Sequence, residues 1–406
     1  MKLDLYVDYQ DKIEKEYEIV ERKGKGHPDT LADALGEQLS IYYSKYTKER
    51  YGAILHHNFD KVGIMGGQAK IEFGSGNLTQ PIRILLNGRA SSRFGNELIP
   101  VKELLINETR SFFKKRYPML EVEKDLKILY EVSDGSSPGA VDSSEGTRHY
   151  WFSPRDLNDL SELKFLANND TSMGCGFAPY STLESIIIEV EGMLNSQEYK
   201  LNKPWLGNDI KIMGVRFNKD IRITMCIPQI CLHVANLEEY KNNIEGVRKD
   251  ILRIFSEYKD YNFELFINTR DKYDSVELYL TFTGSSIETG DEGFVGRGNR
   301  IGGVIAPFRT YTMEGISGKN PVYHTGKMYC VVATDIASDI YRTTGHKCEV
   351  VLIGQSGQSL SKPWKTLIKF EGDESYKESI HEIAHNRLEK ISECTDKIME
   401  NGYILA

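Results

Sequence analysis

Between Thr289 and Gly303 the chain reads TGDEGFVGRGNRIGG, and six of the fourteen residues from Gly290 to Gly303 are glycine. The chain has only 35 glycines in 406 residues. Such local enrichment predicts backbone at positive φ or lying very close to another group. Asp291 and Glu292 can hold a hard cation, and Arg297 and Arg300 can fork onto anionic oxygens. Backbone N–H groups, paired acids and guanidiniums together describe a site for a polyphosphate and its metal. The competing reading is a flexible linker. Linkers of that kind carry serine, not two arginines among Phe294, Val295 and Ile301.

Four further constellations could serve the same chemistry. In RKGKGHPDTLAD, Arg22 to Asp33, His27 and Asp29 flank Pro28 where a helix begins. A helix N-terminus attracts anions, so His27 could donate to a phosphate oxygen and Asp29 could ligate Mg²⁺. The plainer reading makes Asp29 a helix cap. In FLANNDTSMGCGFAPYS, Asp170 could bind a substrate ammonium or simply close an Asx-turn. In GNDIKIMGVR, Asp209 and Lys211 alternate with apolar residues and project from one strand face, either into a polar site or at a solvated edge. ISGKNPVYHTGK carries Lys319, His324 and Lys327 around Gly and Pro. It is not a Walker A loop, because Gly315 and Gly318 stand too close and Asn320 replaces the Mg²⁺-binding hydroxyl. One motif competes with all of these. HEIAH, His381 to His385, matches H-E-x-x-H on a predicted helix and offers a zinc-hydrolase reading. Only 21 residues follow His385, and Ile380, Ile383, Ala384 and Leu388 give that helix an apolar stripe.

Composition narrows the classes. A chain of 406 residues predicts two to four folding units. Hydrophobic residues at 40% and charged residues at 27% are ordinary for a soluble protein. A net charge of −8 argues against a sequence-independent nucleic-acid binder. The six cysteines form no C-x-x-C pair and several lie in apolar runs, as expected of reduced thiols in a cytoplasmic protein. The N-terminal stretch has no apolar signal core, and no apolar run is long enough to cross a bilayer.

The elements that must carry these residues follow from periodicity. Asp29 or Thr30 begins a helix with Leu31, Leu35, Leu39, Tyr42 and Tyr46 on its apolar face. Short strands are expected at Ala53–Leu55, Val62–Ile64, Ile71–Phe73 and Ile82–Leu86, then a helix over Val101–Phe113 and a strand over Lys127–Val132. Ser133 to Gly146 is small and polar, either a surface loop or a mobile lid. Ser181 and Glu184 form a capping box before a helix through Leu194. Strands over Ile210–Phe217 and Ile221–Cys226 precede a long amphipathic helix from Leu237 to Phe255. Strands at Phe263–Ile267, Val276–Phe282 and Glu349–Ile353 alternate with helices at Met328–Tyr341 and Lys377–Met399. Strands and long helices recur in three similar batches, which predicts three α+β units with antiparallel or mixed sheets and helices on one face.

GHPD, NNDTSMGCGFAP, DIKIMGVR, DEGFVGRGNR and SGKNPV appear in that order between Glu21 and Tyr341. Together they resemble the S-adenosylmethionine synthetases (methionine adenosyltransferases) in their archaeal-type form. The resemblance implies three similar domains in a pseudo-threefold arrangement, at about 1–135, 136–260 and 261–406 with strands exchanged between them. It implies a homodimer with shared active sites, ATP and L-methionine as substrates, Mg²⁺ as the required ion and K⁺ as an activator, and neither a nucleic-acid nor a membrane partner. The family attacks C5′ of ATP with the methionine sulfur, then cleaves the bound triphosphate to pyrophosphate and phosphate. By motif, His27 would assist departure of the triphosphate, Asp29 would bind Mg²⁺, and Asp170 would hold the methionine ammonium. Asp209 and Lys211 would line the ATP site, with Lys211 on the phosphates. Asp291 would lie near ATP or a cation, and Arg297 would stabilise triphosphate cleavage, with Arg300 the next cation in the loop. Lys319 would contact phosphate. Gly135, Ser136, Ser137, Pro138, Gly139 and Ala140 would belong to a gating loop associated with ATP. Thr30 and Gly298 stand where bacterial and eukaryotic members carry lysine, and NPVYHTGK lacks their metal-binding carboxylate. The resemblance therefore assigns neither a second Mg²⁺ ligand nor K⁺ ligands. Two other readings remain on sequence alone: an ATP-dependent kinase or ligase, distinguished by its products, and a nucleotide-binding partner subunit without turnover.

Overall fold

The structure, a computed structural model, describes residues 3–13, 15–135 and 150–401. Three sheets form its frame, and they share one pairing pattern. The first runs Leu126–Ser133, Ile82–Ala90, Gly63–Met65, Glu292–Phe294, with His57–Asn58 also on the second strand. The second runs Asn262–Ile267, Asp220–Cys226, Lys211–Phe217, Tyr17–Lys23, and the third Leu5–Gln10, Lys365–Glu371, Cys348–Ile353, Met173–Ala178. In each sheet the first pair is parallel and the next two are antiparallel. In each, too, the last strand comes from a distant part of the chain. This repeat of mixed sheets is the α+β architecture expected from the three batches of elements.

Each of these three sheets packs one face on helices and buries its own core. Pro28–Tyr51 and Val101–Arg116 cover the first sheet, with Leu31, Leu35, Leu39, Tyr43 and Phe113 buried beside Ile64, Ile82 and Ile84. Thr182–Leu194 and Leu237–Phe255 cover the second, and Thr325–Thr344 with Lys377–Glu389 the third. Helix ends are set locally. The Ser181 and Glu184 capping box is complete in both directions, and Gly52 ends the first helix in the left-handed region.

Several expectations need correction. Tyr43, not Tyr42, is the buried ring of the first helix, because 3.6 residues per turn carries the stripe from Leu39 to Tyr43. The expected Val276–Phe282 strand reduces to Leu280–Thr281, since Val276 sits at φ 55° in a turn closed by Lys272 and Glu277. Lys377–Met399 is not one helix but two, Lys377–Glu389 and Glu393–Asn401. Leu5–Gln10, Tyr17–Lys23, Met173–Ala178 and Lys365–Glu371 are strands that periodicity did not reveal. Among the described residues no helix is long and apolar enough to cross a membrane.

Candidate active site

His27, not Asp29 or Thr30, caps the Pro28–Tyr51 helix. Its Nδ1 accepts the Asp29 N–H at 3.2 Å, with Pro28 at the first helical position. Accepting at Nδ1 leaves Nε2 as the ring's N–H donor. Burial holds the His27 pKa below its ordinary value despite the opposing pull of Asp209 and Asp29. The cap is therefore a neutral imidazole with a free donor at the positive end of a 24-residue helix.

Freed from capping, Asp29 holds two other groups. Its Oδ1 accepts the Phe294 N–H at 3.1 Å, and its Oδ2 lies 2.8 Å from Lys23 Nζ. Lys23 also donates to the Arg297 carbonyl at 2.7 Å. One turn further on, Asp33 Oδ1 accepts from Gly296 N at 2.8 Å and Oδ2 from Gly298 N at 3.2 Å. Two carboxylates at i and i+4 thus grip the glycine-rich loop along one helix face. Burial pushes the Asp33 pKa up to about 7. The loop approaches so closely that a Cβ on Gly293 would stand 2.0 Å from the Pro28 carbonyl carbon. Gly290, Gly296, Gly302 and Gly303 take positive φ, as the glycine content implied. Asn299 completes the seam by exchanging both amide bonds with the backbone of Lys23, at 2.9 and 2.8 Å.

A cleft of about 560 Å³ opens beside this cap, lined by His27, Asp209, Lys211, Asn268, Arg270, Tyr279, Ser286 and Asp291, among others. That is ample for a nucleotide-sized ligand. Lys211 begins the strand directly opposite Lys23 in the antiparallel register, and its Nζ lies 3.1 Å from Glu21. Asp209 is buried just before that strand. It accepts from Tyr279 Oη at 3.0 Å, Ser286 N at 2.9 Å and Ser286 Oγ at 2.6 Å. Burial raises its pKa, while His27 and these donors oppose the rise. Ser286 Oγ also lies 3.1 Å from Asp291, so one hydroxyl bridges the two acids. The Arg297 side chain is exposed and has no partner among the described residues. Arg300 donates to the Gly296 carbonyl at 2.9 Å and lines a smaller cavity behind the loop with Asp33 and Glu314.

Asp170 and Lys319 form a separate group. Asp170 is exposed, with Oδ1 on the Thr171 N–H at 2.7 Å and its carbonyl on Thr325 Oγ1 at 3.3 Å. Lys319 is buried, pairs with Glu314, and accepts at its carbonyl from Lys327 Nζ at 3.0 Å, with Ser40 Oγ 3.2 Å away. Glu314 also takes a bond from Ser172 Oγ at 3.2 Å. Burial lowers the Lys319 pKa to about 8. Ser40 lies on the first helix thirteen positions beyond His27, about 20 Å at 1.5 Å per residue. Gly135 is exposed after the Leu126–Ser133 strand. Ser136, Ser137, Pro138, Gly139 and Ala140 lie outside the described residues.

Lys23, Asp33, Tyr279, Ser286 and Glu314 escaped sequence reasoning. Only Asp33 had a usable signal, its four-residue spacing from Asp29. The H-E-x-x-H stretch builds no centre. His385 is exposed and pairs with Glu389 at 3.2 Å, while Ile380, Ala384 and Leu388 fill the core. Among the described residues, no group of three or more His, Cys, Asp or Glu gathers as a metal cage. Mg²⁺ needs none, because it binds through one or two carboxylates plus substrate phosphates. Asp291 supplies a hard oxygen in the cleft wall, and Asp29, at the helix end two residues from His27, supplies a second carboxylate that Mg²⁺ would reach by displacing the Lys23 ammonium.

The sequence model of the family described as S-adenosylmethionine synthetase (AdoMet synthetase) matches residues 6–402. The chain is 39% identical to the probable S-adenosylmethionine synthase of Aquifex aeolicus, covering 97% of this chain and 96% of that protein. It is 40% identical to the S-adenosylmethionine synthase of Methanocaldococcus jannaschii, covering 95% of both. Its fold is similar to that of a solved S-adenosylmethionine synthetase described as unusual, from Campylobacter jejuni, with a TM-score of 0.59, 14% identity and 96% of each chain covered.

Proposed function

The chain belongs to the S-adenosylmethionine synthetase family and is a methionine adenosyltransferase, and we propose that its reaction runs by attack of the methionine sulfur on C5′ of ATP at the His27 cleft, followed by hydrolysis of the bound triphosphate. The observation that carries this reading is the neutral His27 cap. Its Nε2–H stands at a helix N-terminus beside Lys23 and Lys211, in a cleft of nucleotide size.

A thioether sulfur is already a good nucleophile, so the reaction needs no general base. The demand falls on the oxygen that leaves with the triphosphate. His27 donates to that oxygen, and the helix dipole adds to the donor's effect. One well-placed donor contributes about 3 to 4 kcal/mol to such a transition state. Lys211 and Lys23 hold the phosphates, and Asp209, through Ser286 and Tyr279, fixes the wall of the ATP site. Arg297, exposed on the loop that Asp29 and Asp33 grip, meets the equatorial oxygens during triphosphate cleavage. Asp170 pairs with the methionine ammonium, and Lys319 contacts phosphate. Asp29 would hold Mg²⁺ together with the phosphates, and the bound ion would supply charge neutralisation to the triphosphate.

The catalytic unit is a homodimer with shared sites. Two observations support this. The peptide that carries Lys319 is held by Glu37, ten positions beyond His27 and about 15 Å along the same helix. The sheet faces turned away from the helices also expose Tyr6, Tyr17, Val215, Phe217, Phe266 and Leu367, more apolar surface than isolated strands ordinarily leave open.

The test is incubation of the purified protein with ATP, methionine and Mg²⁺, following the sulfonium product and both phosphate products. S-adenosylmethionine, pyrophosphate and phosphate are expected in equal amounts, with none formed in EDTA. Release of ADP with a phosphorylated acceptor, or turnover unaffected by EDTA, overturns the reading.

A further inference from the structure

Lys327 is the most deeply enclosed charge in the SGKNPVYHTGK segment, fully buried in the first turn of the Thr325–Thr344 helix. Its three protons are all used: Nζ lies 2.7 and 2.6 Å from the two Glu37 oxygens and 3.0 Å from the Lys319 carbonyl. Glu37, two turns beyond Asp29 on the first helix, is 3% exposed and takes a third bond from the Gly318 N–H at 3.0 Å. Ser40 Oγ, on the same helix, lies 3.2 Å from the Lys319 carbonyl, but its one proton goes to His57 Nε2 at 2.7 Å, since His57 Nδ1 donates to the Leu55 carbonyl at 2.8 Å. The Gly318 carbonyl accepts from Phe59 N at 2.7 Å. Gly318 sits at φ 75°, where a Cβ would meet the Phe59 carbonyl oxygen at 2.5 Å.

A sealed ion pair is a poor stabilising device, since desolvation consumes most of its attraction and apolar replacements are often as stable. Nor can Lys327 reach a phosphate. What the pair does hold is backbone: the donor of residue 318 and the acceptor of residue 319. We propose that Glu37 and Lys327 are positioning residues for Lys319, fixing the peptide that carries its side chain so that the ammonium has only to exchange Glu314 for phosphate. This rests on the reading that Lys319 contacts phosphate. Positioning of this kind is catalytically valuable because a displacement of about 1 Å can cost on the order of 100-fold in rate.

The experiment compares Glu37→Gln/Lys327→Met, a neutral pair of similar volume, with Lys319→Ala and with the triple variant. Thermal melting, kcat and KM for ATP are measured on each. The double variant is expected to melt within about 4 °C of the parent and to lose kcat on the order of 10- to 100-fold, with a much smaller change in KM. The triple variant is expected to be no slower than Lys319→Ala, because the pair acts only through that residue. Parental kcat in the double variant beside a crippled Lys319→Ala overturns the positioning role, and so do losses that multiply in the triple. Parental activity in Lys319→Ala overturns the reading of Lys319 itself, and the positioning role with it. Should the double variant not fold, Lys327→Arg decides, because it keeps a cation on Glu37 and changes how the Lys319 carbonyl is held. It is expected to lower kcat about 2- to 5-fold in the parent and not at all in Lys319→Ala; equal losses in both backgrounds overturn the proposal.

Discussion

At the N-terminal end of the Pro28–Tyr51 helix the charges face a cleft; two to three turns further along, the same helix seals them in. His27 and Lys211 line the cleft with donors to spare, Lys23 is bonded to Asp29 and the Arg297 carbonyl, and the Arg297 side chain is exposed. Glu37 and Lys327, by contrast, spend every strong bond on each other and on the backbone of residues 318 and 319. The first region has groups left over for a ligand. The second has none, and its chemistry is directed at the chain itself. Charge alone does not mark a binding residue; unspent hydrogen-bonding capacity beside an opening does.

The largest effect that would sharpen this contrast is at the cap. His27→Asn keeps a good N-cap acceptor but removes the imidazole donor. It should melt near the parent temperature and lose kcat for synthesis on the order of 1000-fold. Unchanged synthesis would move the site away from the helix end.

Arg297→Ala comes next. A guanidinium serves charge on phosphoryl oxygens, so hydrolysis of added triphosphate should fall on the order of 100-fold, at least as much as synthesis. Intact hydrolysis removes Arg297 from the phosphate site.

The sealed region should show itself through pH. Burial brings the Lys319 pKa down to about 8. Its ammonium is therefore present below pH 8 and lost above it, and kcat/KM for ATP should fall about tenfold per pH unit on that alkaline limb. Lys319→Arg, whose guanidinium stays charged, should carry the limb past about pH 9. An unshifted limb would assign it to another group.

The smallest effect is expected where neither arrangement exists. His381→Ala/His385→Ala alters a helix face outside both regions and should keep activity within about twofold, with stability within about 0.5 kcal/mol. A dead double variant that has also lost bound zinc would revive the metal reading of that helix.

Sequence reasoning located the loops better than the roles inside them. The glycine-rich segment was legible because glycine content reports close approach directly, and the Gly293 contact with Pro28 bears that out. The Leu237–Phe255 helix and the Ser181 capping box were legible because their signals are local, within one helical turn. The strand Tyr17–Lys23 was not, because it pairs with Lys211–Phe217 nearly two hundred residues away and carries no period of its own in YEIVERK. His27 was recognised as a possible phosphate donor but not as the cap, since aspartate and threonine are preferred N-cap residues and histidine is not.

By itself, then, the sequence determined the kinds of groups: phosphate-seeking cations, acids and glycines on five segments, and three batches of strands and helices to carry them. Each depends on residue type and near neighbours, which the chain states directly. The tertiary structure decided which charges stay available. Asp29 was spared capping by His27, Asp33 became a clamp on the loop, and Lys327 was sealed against Glu37 while Lys211 reached the cleft. Those outcomes turn on burial and on partners hundreds of residues away, and no local pattern encodes the distance between two side chains that meet only when the sheets exchange their edge strands.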